Sequence, residues 1–194
     1  MSQTIIRLKD VSSENPSGAD NQQERPSIEQ WIVGFVDGEG CFSVPVFRNK
    51  TYKIGWQVQP DFVVVQGARS VEVLHDLKRF FGCGDVFINR RYDNHREHLY
   101  RYSVRNLAHL EAVIIPFFET NPLRTAKASE FEKFATVVRM MRRKLHLTVE
   151  GLTQIAEIAQ TMNHRKPSRF LESSEAIRRA PQLKLVDEEM VQAP

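Results

Sequence analysis

The spacing of apolar positions along the chain predicts helices that alternate with pairs of strands. Apolar residues recur every three or four positions in five segments, which predicts helices there. These segments are 28–37, 71–81, 107–116, 125–145 and 150–162. Four segments instead alternate apolar and polar positions and are rich in β-branched and aromatic residues, which predicts strands. They are 41–50, 53–66, 85–91 and 98–105. Because short polar turns join each strand pair, we expect antiparallel pairing in an α+β fold of order α-β-β-α-β-β-α with extra C-terminal helices.

Local residues refine these boundaries. Ser27 and Gln30 form the pattern of a capping box directly before the first apolar run, so the first helix is expected to begin there. Pro45 and Pro60 favour sheet edges or bulges over the centre of a ladder, because proline has no N–H to donate. Thr148 is the expected cap of the last helix.

Composition divides the chain into an arm, a domain and a tail. Residues 10–27 are polar and contain Pro, Gly, Ser and Asn without an apolar period, so residues 1–25 are expected to form a flexible N-terminal arm. Residues 26–165 are then a single domain. Residues 166–194 mix basic and acidic side chains and are expected to form a poorly ordered tail.

Composition also excludes several classes of protein. The chain has 194 residues, of which 41% are hydrophobic and 26% are charged, which is typical of a globular protein. No window approaches the roughly 18 uninterrupted apolar residues of a membrane span, and the first residues do not resemble a secretion signal. Cys41 and Cys83 lack the spacing of a disulfide scaffold or a zinc site. We therefore expect an intracellular protein with no membrane partner.

The net charge of +3 is distributed unevenly. Three basic and five acidic residues lie in positions 1–30, a balance of −2, so the other 164 residues carry +5. This basic excess is compatible with nucleic acid but does not require it.

The segment 31–40 places two glycines and two acids in conflict with helix stability. Gly34 and Gly38 are four residues apart and share one helix face, and each costs about 1 kcal/mol relative to alanine. Gly38 and Gly40 are expected to end the helix near residue 37. Asp37 and Glu39 then lie at the end where the macrodipole disfavours carboxylates. One interpretation is a site for a hard metal ion, because carboxylates and helix-terminal carbonyls are oxygen ligands. The other is a glycine-rich turn with solvated acids, which an isolated DGEG string favours.

The wider context supports the first interpretation. The string WIVGFVDGEG resembles the signature helix of the LAGLIDADG homing endonucleases, and further matches extend the resemblance over about residues 28–170. These matches are Pro60, Phe62, Val64 and Gln66, then Pro116, Phe117, Phe118, Pro122, Leu123, Lys127 and Phe131, and finally His146, Leu147, Thr148, Gly151, Leu152, Met162 and Asn163.

The resemblance implies a fold, an activity and roles for residues. It implies a four-stranded antiparallel saddle-shaped sheet and metal-assisted hydrolysis of DNA phosphodiesters. Glu39, aided by the backbone carbonyl of Gly38, would ligate Mg²⁺ (or Mn²⁺), and Asp37 would be mainly structural. Gln66 would order water, and Lys127 would support the charge that develops on the phosphate. Weaker candidates for that last role are Arg69 and Arg124.

The resemblance also implies an assembly. One motif in one chain provides one acid for one scissile phosphate, so a double-strand break requires two copies. We therefore expect a homodimer joined along the helix that carries Gly34, Asp37 and Gly38. Its double-stranded DNA target should be long and nearly palindromic, because the symmetry of the protein is mirrored in the half-sites.

Polar and basic positions in the two strand pairs are expected to contact this DNA, through base edges or phosphates. They are Ser43, Arg48, Lys50, Lys53, Gln57, Arg69, Arg90, Arg91, His98, Tyr100 and Arg101. The phenylalanines at 117, 118, 131 and 134 are assigned to the core instead.

Two other functions remain open on this fold. One is an intron maturase that binds intron RNA, and the other is a non-catalytic DNA-binding regulator. The combination of Glu39, Gln66 and Lys127 favours a nuclease, since a binding module needs no acid facing a phosphate. The expected compartment is the bacterial cytoplasm or an organelle, either mitochondrion or chloroplast.

Overall fold

The computed structural model describes residues 27–90, 98–163 and 167–173. Helix α1 (Ile28–Glu39) begins with the predicted capping box, in which Ser27 N donates to Gln30 and Gln30 N donates to the Ser27 hydroxyl. Its end differs from the prediction, because the helix continues past residue 37 to Glu39. Gly40 N–H donates to the Val36 carbonyl and Val36 is fully buried. This packing outweighs the cost of about 1 kcal/mol for a glycine at position 38.

Proline divides each of the first two predicted strands into two shorter ones. The first becomes β1 (Gly40–Ser43) and β2 (Val46–Arg48), on either side of Pro45. The second becomes β3 (Trp56–Val58) and β4 (Asp61–Gly67), on either side of Pro60. Because neither proline can donate to a ladder, the chain leaves one sheet there and enters another.

The remaining strands and the second helix lie within the predicted segments. They are α2 (Val71–Phe81), β5 (Asp85–Asn89) and β6 (Leu99–Val104). Gly82 ends α2 in the left-handed conformation, with φ of 62°, which glycine adopts without steric cost. The expected turn at residues 92–97 lies outside the described residues.

The sheet is four-stranded and antiparallel, in the order β1-β4-β6-β5, and β2 and β3 form a separate hairpin. In register, Gly40 lies opposite Val64, and Gln66 lies opposite Tyr100. Residues alternate between two faces. One face packs against the helices, and Val64 and Tyr102 of this face are fully buried. The opposite surface, here called the open face, carries Cys41, Ser43, Asp61, Val63, Val65, Phe87, Arg101 and Ser103.

The C-terminal half is helical, as predicted, with different boundaries. A short helix α3 (Leu107–His109) passes through a π-helical turn into α4 (Ile115–Thr120). The predicted helix over 107–116 therefore does not stop at Pro116, because that residue lies in the first turn of α4, where a missing N–H is tolerated. Helices α5 (Lys127–Arg142) and α6 (Val149–Gln160) follow. Thr148 caps α6 as expected, accepting from Gly151 N at 3.1 Å.

An aromatic core joins the helices to the sheet. Phe42 contacts Phe62, Phe118, Phe131 and Phe134 at ring-centroid distances of 5.1 to 5.5 Å. The assignment of these helix phenylalanines to the core is therefore confirmed. Within the described part of the chain, no helix has both the length and the hydropathy of a membrane span.

The packed part of the chain continues beyond the expected domain boundary at residue 165. Phe170 is 1% exposed and its ring lies edge-on to Trp56, with centroids 5.3 Å apart. Residues 167–173 are therefore anchored to the domain through Phe170 rather than forming part of a tail. The expectation failed here because a single aromatic residue in a polar segment carries no periodic pattern.

Candidate active site and nucleic-acid interface

The predicted metal ligands lie where α1 meets β1. Glu39 is the last residue of α1 and its side chain is exposed. The last turn of α1 contains no basic residue, so the helix carbonyls and the acids concentrate negative potential at this end. Lys127, the first residue of α5, supplies a positive charge. Its Nζ donates to the carbonyls of Gly40 at 2.5 Å and Gly38 at 3.3 Å.

Asp37 joins α1 to the segment that precedes α5. Its carboxylate accepts from Arg124 N at 2.8 Å, from the Thr125 hydroxyl at 2.8 Å and from Thr125 N at 3.3 Å. Burial acts to raise the pKa of Asp37, but these hydrogen bonds outweigh it, and the pKa lies below its ordinary value. Asp37 thereby helps to fix the start of α5, which carries Lys127. This geometry agrees with the structural role expected for Asp37.

Gln66 lies at the same end of the sheet as these groups. The β1–β4 ladder begins with Gly40 opposite Val64, so Gln66 lies two residues beyond that pair, at the end of the sheet where α1 meets β1. Gln66 lies two residues after the buried Val64 on β4, so both side chains are on the sheet face that packs against the helices. Gln66 is at the edge of that face. The fold therefore brings the three predicted catalytic positions, 39, 66 and 127, to one end of the sheet.

Asn163 connects the C-terminal helices to this region. Its Nδ2 donates to the Phe42 carbonyl at 2.9 Å, and its backbone N donates to Glu130 at 3.0 Å. Cys41 lies beside it, with Sγ 3.7 Å from Asn163 Oδ1. Burial raises the pKa of the Cys41 thiol, while the charge of Lys127 acts in the opposite direction. Asn163 is one of the sequence matches, but the sequence alone gave it no role.

The donor set fits a hard divalent cation in part. The Glu39 carboxylate and the Gly38 carbonyl provide oxygen ligands, as Mg²⁺ prefers. Across residues 27–90, 98–163 and 167–173, no group of three His, Cys, Asp or Glu side chains could hold a metal ion alone. Further ligands would therefore come from outside this set, such as DNA phosphates, water or a second chain.

The glycine face of α1 is uncovered within the chain. Gly34 and Gly38 are both exposed, and a Cβ added at either would meet nothing within 4 Å. A groove of about 460 Å³ lies beside Gly34, between α1 and residues 120–124. Packing among the described residues therefore does not explain the two glycines.

The predicted DNA-contact residues of the main sheet do not all share one face. Ser43 and Arg101 lie on the open face, as the prediction requires. Tyr100 does not, because it lies on the same face of β6 as Tyr102 and packs against the core. The assignment of Tyr100 to a DNA-facing strand position is therefore wrong. Along β6, Tyr100, Tyr102 and Val104 alternate with Arg101 and Ser103, so the strand pattern itself places Tyr100 on the inner face.

The hairpin and the loops carry most of the other predicted contacts. Arg48 is stacked over Trp56 on the inner side of the hairpin, 4.8 Å from the ring centroid, whereas Gln57 lies on the outer side with Phe47. Gln57 accepts from Asn49 Nδ2 at 2.6 Å. The side chains of Lys50, Lys53, Arg69, Arg90 and His98 are exposed. Arg91 lies outside the described residues.

The sequence analysis missed a charged cluster on the open face. Asp61 is 6% exposed and contacts Arg101, Ser103 and Arg105. Phe87, opposite Arg101 in β5, leaves 48% of its surface exposed on the same face. The spacing of Arg101, Ser103 and Arg105, two residues apart, could have indicated a shared strand face, but Asp61 lies on another strand.

Comparisons with known proteins agree with this architecture. The model of the LAGLIDADG endonuclease family matches residues 32–138. "Probable intron-encoded endonuclease 3" of Neurospora crassa is 36% identical over 138 residues, which is 70% of this chain and 25% of that protein. The crystal structure of the homing endonuclease I-TnaI is 44% identical with a TM-score of 0.67, covering 74% of this chain and 93% of that one.

A third similar protein has been determined with DNA. The structure of I-SmaMI bound to uncleaved DNA target in the presence of calcium ions is 32% identical with a TM-score of 0.66, covering 73% of this chain and 46% of that one. The chain belongs to the LAGLIDADG endonuclease family, and its fold is that of the family. It spans about a quarter of the length of the first curated relatives that it matches.

Proposed function

We propose that this protein is a site-specific homing endonuclease that makes a double-strand break in a long, nearly palindromic DNA site. The observation that carries the proposal is the group of positions at the end of α1. An exposed Glu39 carboxylate, two helix-terminal carbonyls and the Lys127 ammonium lie together there. The intron-encoded and homing endonucleases among its relatives support the same activity.

Divalent metal is part of this proposal. Glu39 and the Gly38 carbonyl would hold Mg²⁺ or Mn²⁺, and the calcium ions in the I-SmaMI complex support the use of a divalent cation. When bound, such an ion supplies polarisation of the scissile phosphate and activation of water.

The chain's own residues would position the reacting groups. Asp37 fixes the segment that precedes α5, so the Lys127 ammonium is held within hydrogen-bond distance of the α1 carbonyls. From there it can donate to a phosphate oxygen as negative charge develops on it. Gln66 can hydrogen-bond the attacking water through its amide, which both donates and accepts.

A homodimer would complete the site. Two copies related by a twofold axis would bring their uncovered glycine faces together, which places two acids beside two scissile phosphates. The exposed glycines at 34 and 38 support this arrangement, since close backbone approach is what small residues at four-residue spacing permit. The open face and the hairpin would contact the duplex. The intron-encoded relatives favour an intracellular location, in a bacterial cytoplasm or an organelle.

Selection from a DNA library tests this function. Wild-type protein and Glu39→Gln are incubated with randomised near-palindromes in Mg²⁺, and both cleaved and bound molecules are sequenced. Recovery of one long symmetric site, cut on both strands by wild type alone, is the expected result. Bound but uncut sites would contradict nuclease activity and favour a DNA-binding regulator. Binding to intron RNA without any DNA enrichment would favour a maturase.

A further inference from the structure

Asp61 is a buried carboxylate on a surface that is otherwise suited to DNA. It begins β4, and only 8% of its side chain is exposed. Its Oδ1 accepts from the Ser103 hydroxyl at 2.6 Å. Its Oδ2 accepts from Arg105 Nε at 2.7 Å and from Arg101 Nη2 at 3.3 Å. One carboxylate therefore holds two guanidinium groups from the neighbouring strand and the residue that follows it.

The two arginines remain accessible while they are held. Their side chains are 31% exposed at Arg101 and 43% exposed at Arg105. Arg105 uses Nε in its bond to Asp61, so this bond does not occupy its two terminal amino groups. A pair of terminal amino groups in one plane is the geometry that makes two parallel hydrogen bonds to an acceptor edge such as guanine O6 and N7.

Neither stability nor charge explains this carboxylate well. A buried ion pair contributes little net stability, because desolvation offsets the attraction between the charges. A negative charge on the open face also opposes the approach of phosphates. If the arginines contacted only phosphates, removal of the Asp61 carboxylate would strengthen DNA binding. Recognition of a base edge instead benefits from an arginine that is fixed in one orientation.

We propose that Asp61 is a positioning residue for sequence specificity, which orients Arg101 and Arg105 to recognise guanine edges in the major groove. This inference rests on the proposed function, since it assumes that the open face meets duplex DNA. It adds Arg105 to the DNA-contact residues and assigns a role to an acid that would otherwise weaken DNA binding.

The test is a binding selection in Ca²⁺, with sequencing of the bound DNA at every position. Asp61→Asn keeps the size of the side chain and removes its charge. The preference for guanine at one or two neighbouring base positions of each half-site is expected to fall by about 5- to 150-fold. This is the discrimination that one bidentate contact provides. Affinity for random-sequence DNA is expected not to fall, because a repulsive charge is removed. A purely structural role would weaken all sequences equally.

A matched control removes the same charge elsewhere in the sheet. Asp85 lies opposite Ser103 in β5, but its carboxylate pairs with Lys78 of α2 at 2.9 Å, whereas Arg101 and Arg105 pair with Asp61. Asp85→Asn should therefore leave the base preference unchanged at every position. Arg105→Lys is the second variant, because an exposed side chain tolerates replacement and an ammonium cannot make the planar contact. It should reduce the preference for guanine at the same base positions as Asp61→Asn. The double variant should lose no more of this preference than either single variant.

The outcomes separate this inference from the proposed function. If folded Asp61→Asn and Arg105→Lys both retain the base preferences of a cleaving wild type, the inference is wrong and the function stands. A second outcome is a wild type that selects a site but never cuts it in Mg²⁺, while the variants lose the preference for guanine in that site. In that case the inference stands and the nuclease proposal is wrong. A wild type without sequence preference would overturn both.

Discussion

Replacing Gly34 with alanine should stabilise the isolated chain and weaken its dimer. Gly34 lies in the interior of α1, and an added Cβ meets no atom within 4 Å. Alanine in place of glycine at such a helical position raises the free energy of unfolding by about 0.5–1 kcal/mol. For a domain of this size, that raises the melting temperature of the monomer by about 1–4 °C.

The dimer should respond in the opposite direction. A twofold interface brings the same face of α1 from both copies together, so the two added methyl groups enter one shared contact. Overpacking of a closely packed contact costs about 1–3 kcal/mol. The dissociation constant of the dimer should therefore rise by about 5- to 150-fold, since each 1.4 kcal/mol is a factor of ten.

Two measurements and one control check this reasoning. Sedimentation velocity across a concentration series gives the dissociation constant, and thermal melting below that concentration gives the stability of the monomer. Gly40→Ala is the control, because its Cβ would lie 2.6 Å from Val36 Cγ1 and 2.8 Å from the Val36 carbonyl. That variant should destabilise the chain itself. A lower melting temperature for monomeric Gly34→Ala, or an unchanged dissociation constant, would refute the assignment of this face.

Three further predictions concern the site and its supports. The pKa of Asp37 in the folded protein is lowered, so its contribution to stability should be present above about pH 4 and be lost as the pH falls further. In thermal unfolding at a series of acidic pH values, Asp37→Asn should remove this pH dependence. Lys127→Met should reduce the cleavage rate by about 10²–10³-fold, as for the loss of one preorganised donor, with DNA affinity in Ca²⁺ changed less than tenfold. Phe170→Ala should cost about 3–5 kcal/mol in urea unfolding, because the ring is buried against Trp56; a cost below 1 kcal/mol would exclude Phe170 from the core.

Local sequence patterns predicted those parts of the fold that depend on neighbouring residues. The capping box at Ser27, the stop at Gly82 and the cap at Thr148 each involve groups within a few positions of one another, and each is found. The end of α1 was placed two residues too early, because burial of Val36 is a tertiary effect that glycine propensity does not include. Phe170 was missed for a similar reason, since its partner Trp56 is far away in sequence.

The site shows the same division between local and distant information. Glu39 and Gly38 stand out within one decapeptide, so a motif can locate them. The link between Asp37 and Thr125 spans 88 residues, and the bond from Arg105 to Asp61 spans 44. No periodicity in the sequence reports such pairs. Tyr100 was placed on the wrong face although it alternates with Arg101 along β6, because its polar hydroxyl was weighed above this period of two.

The central claim is that each chain supplies one acid for one strand of the DNA. A mixed dimer tests it most directly, with one wild-type copy and one Glu39→Gln copy purified through two different tags. Its products on supercoiled plasmid carrying the selected site are resolved by gel electrophoresis. The mixed dimer should nick one strand and accumulate open circles, while the wild-type dimer makes linear DNA. Linear product from the mixed dimer at the wild-type rate would contradict the claim.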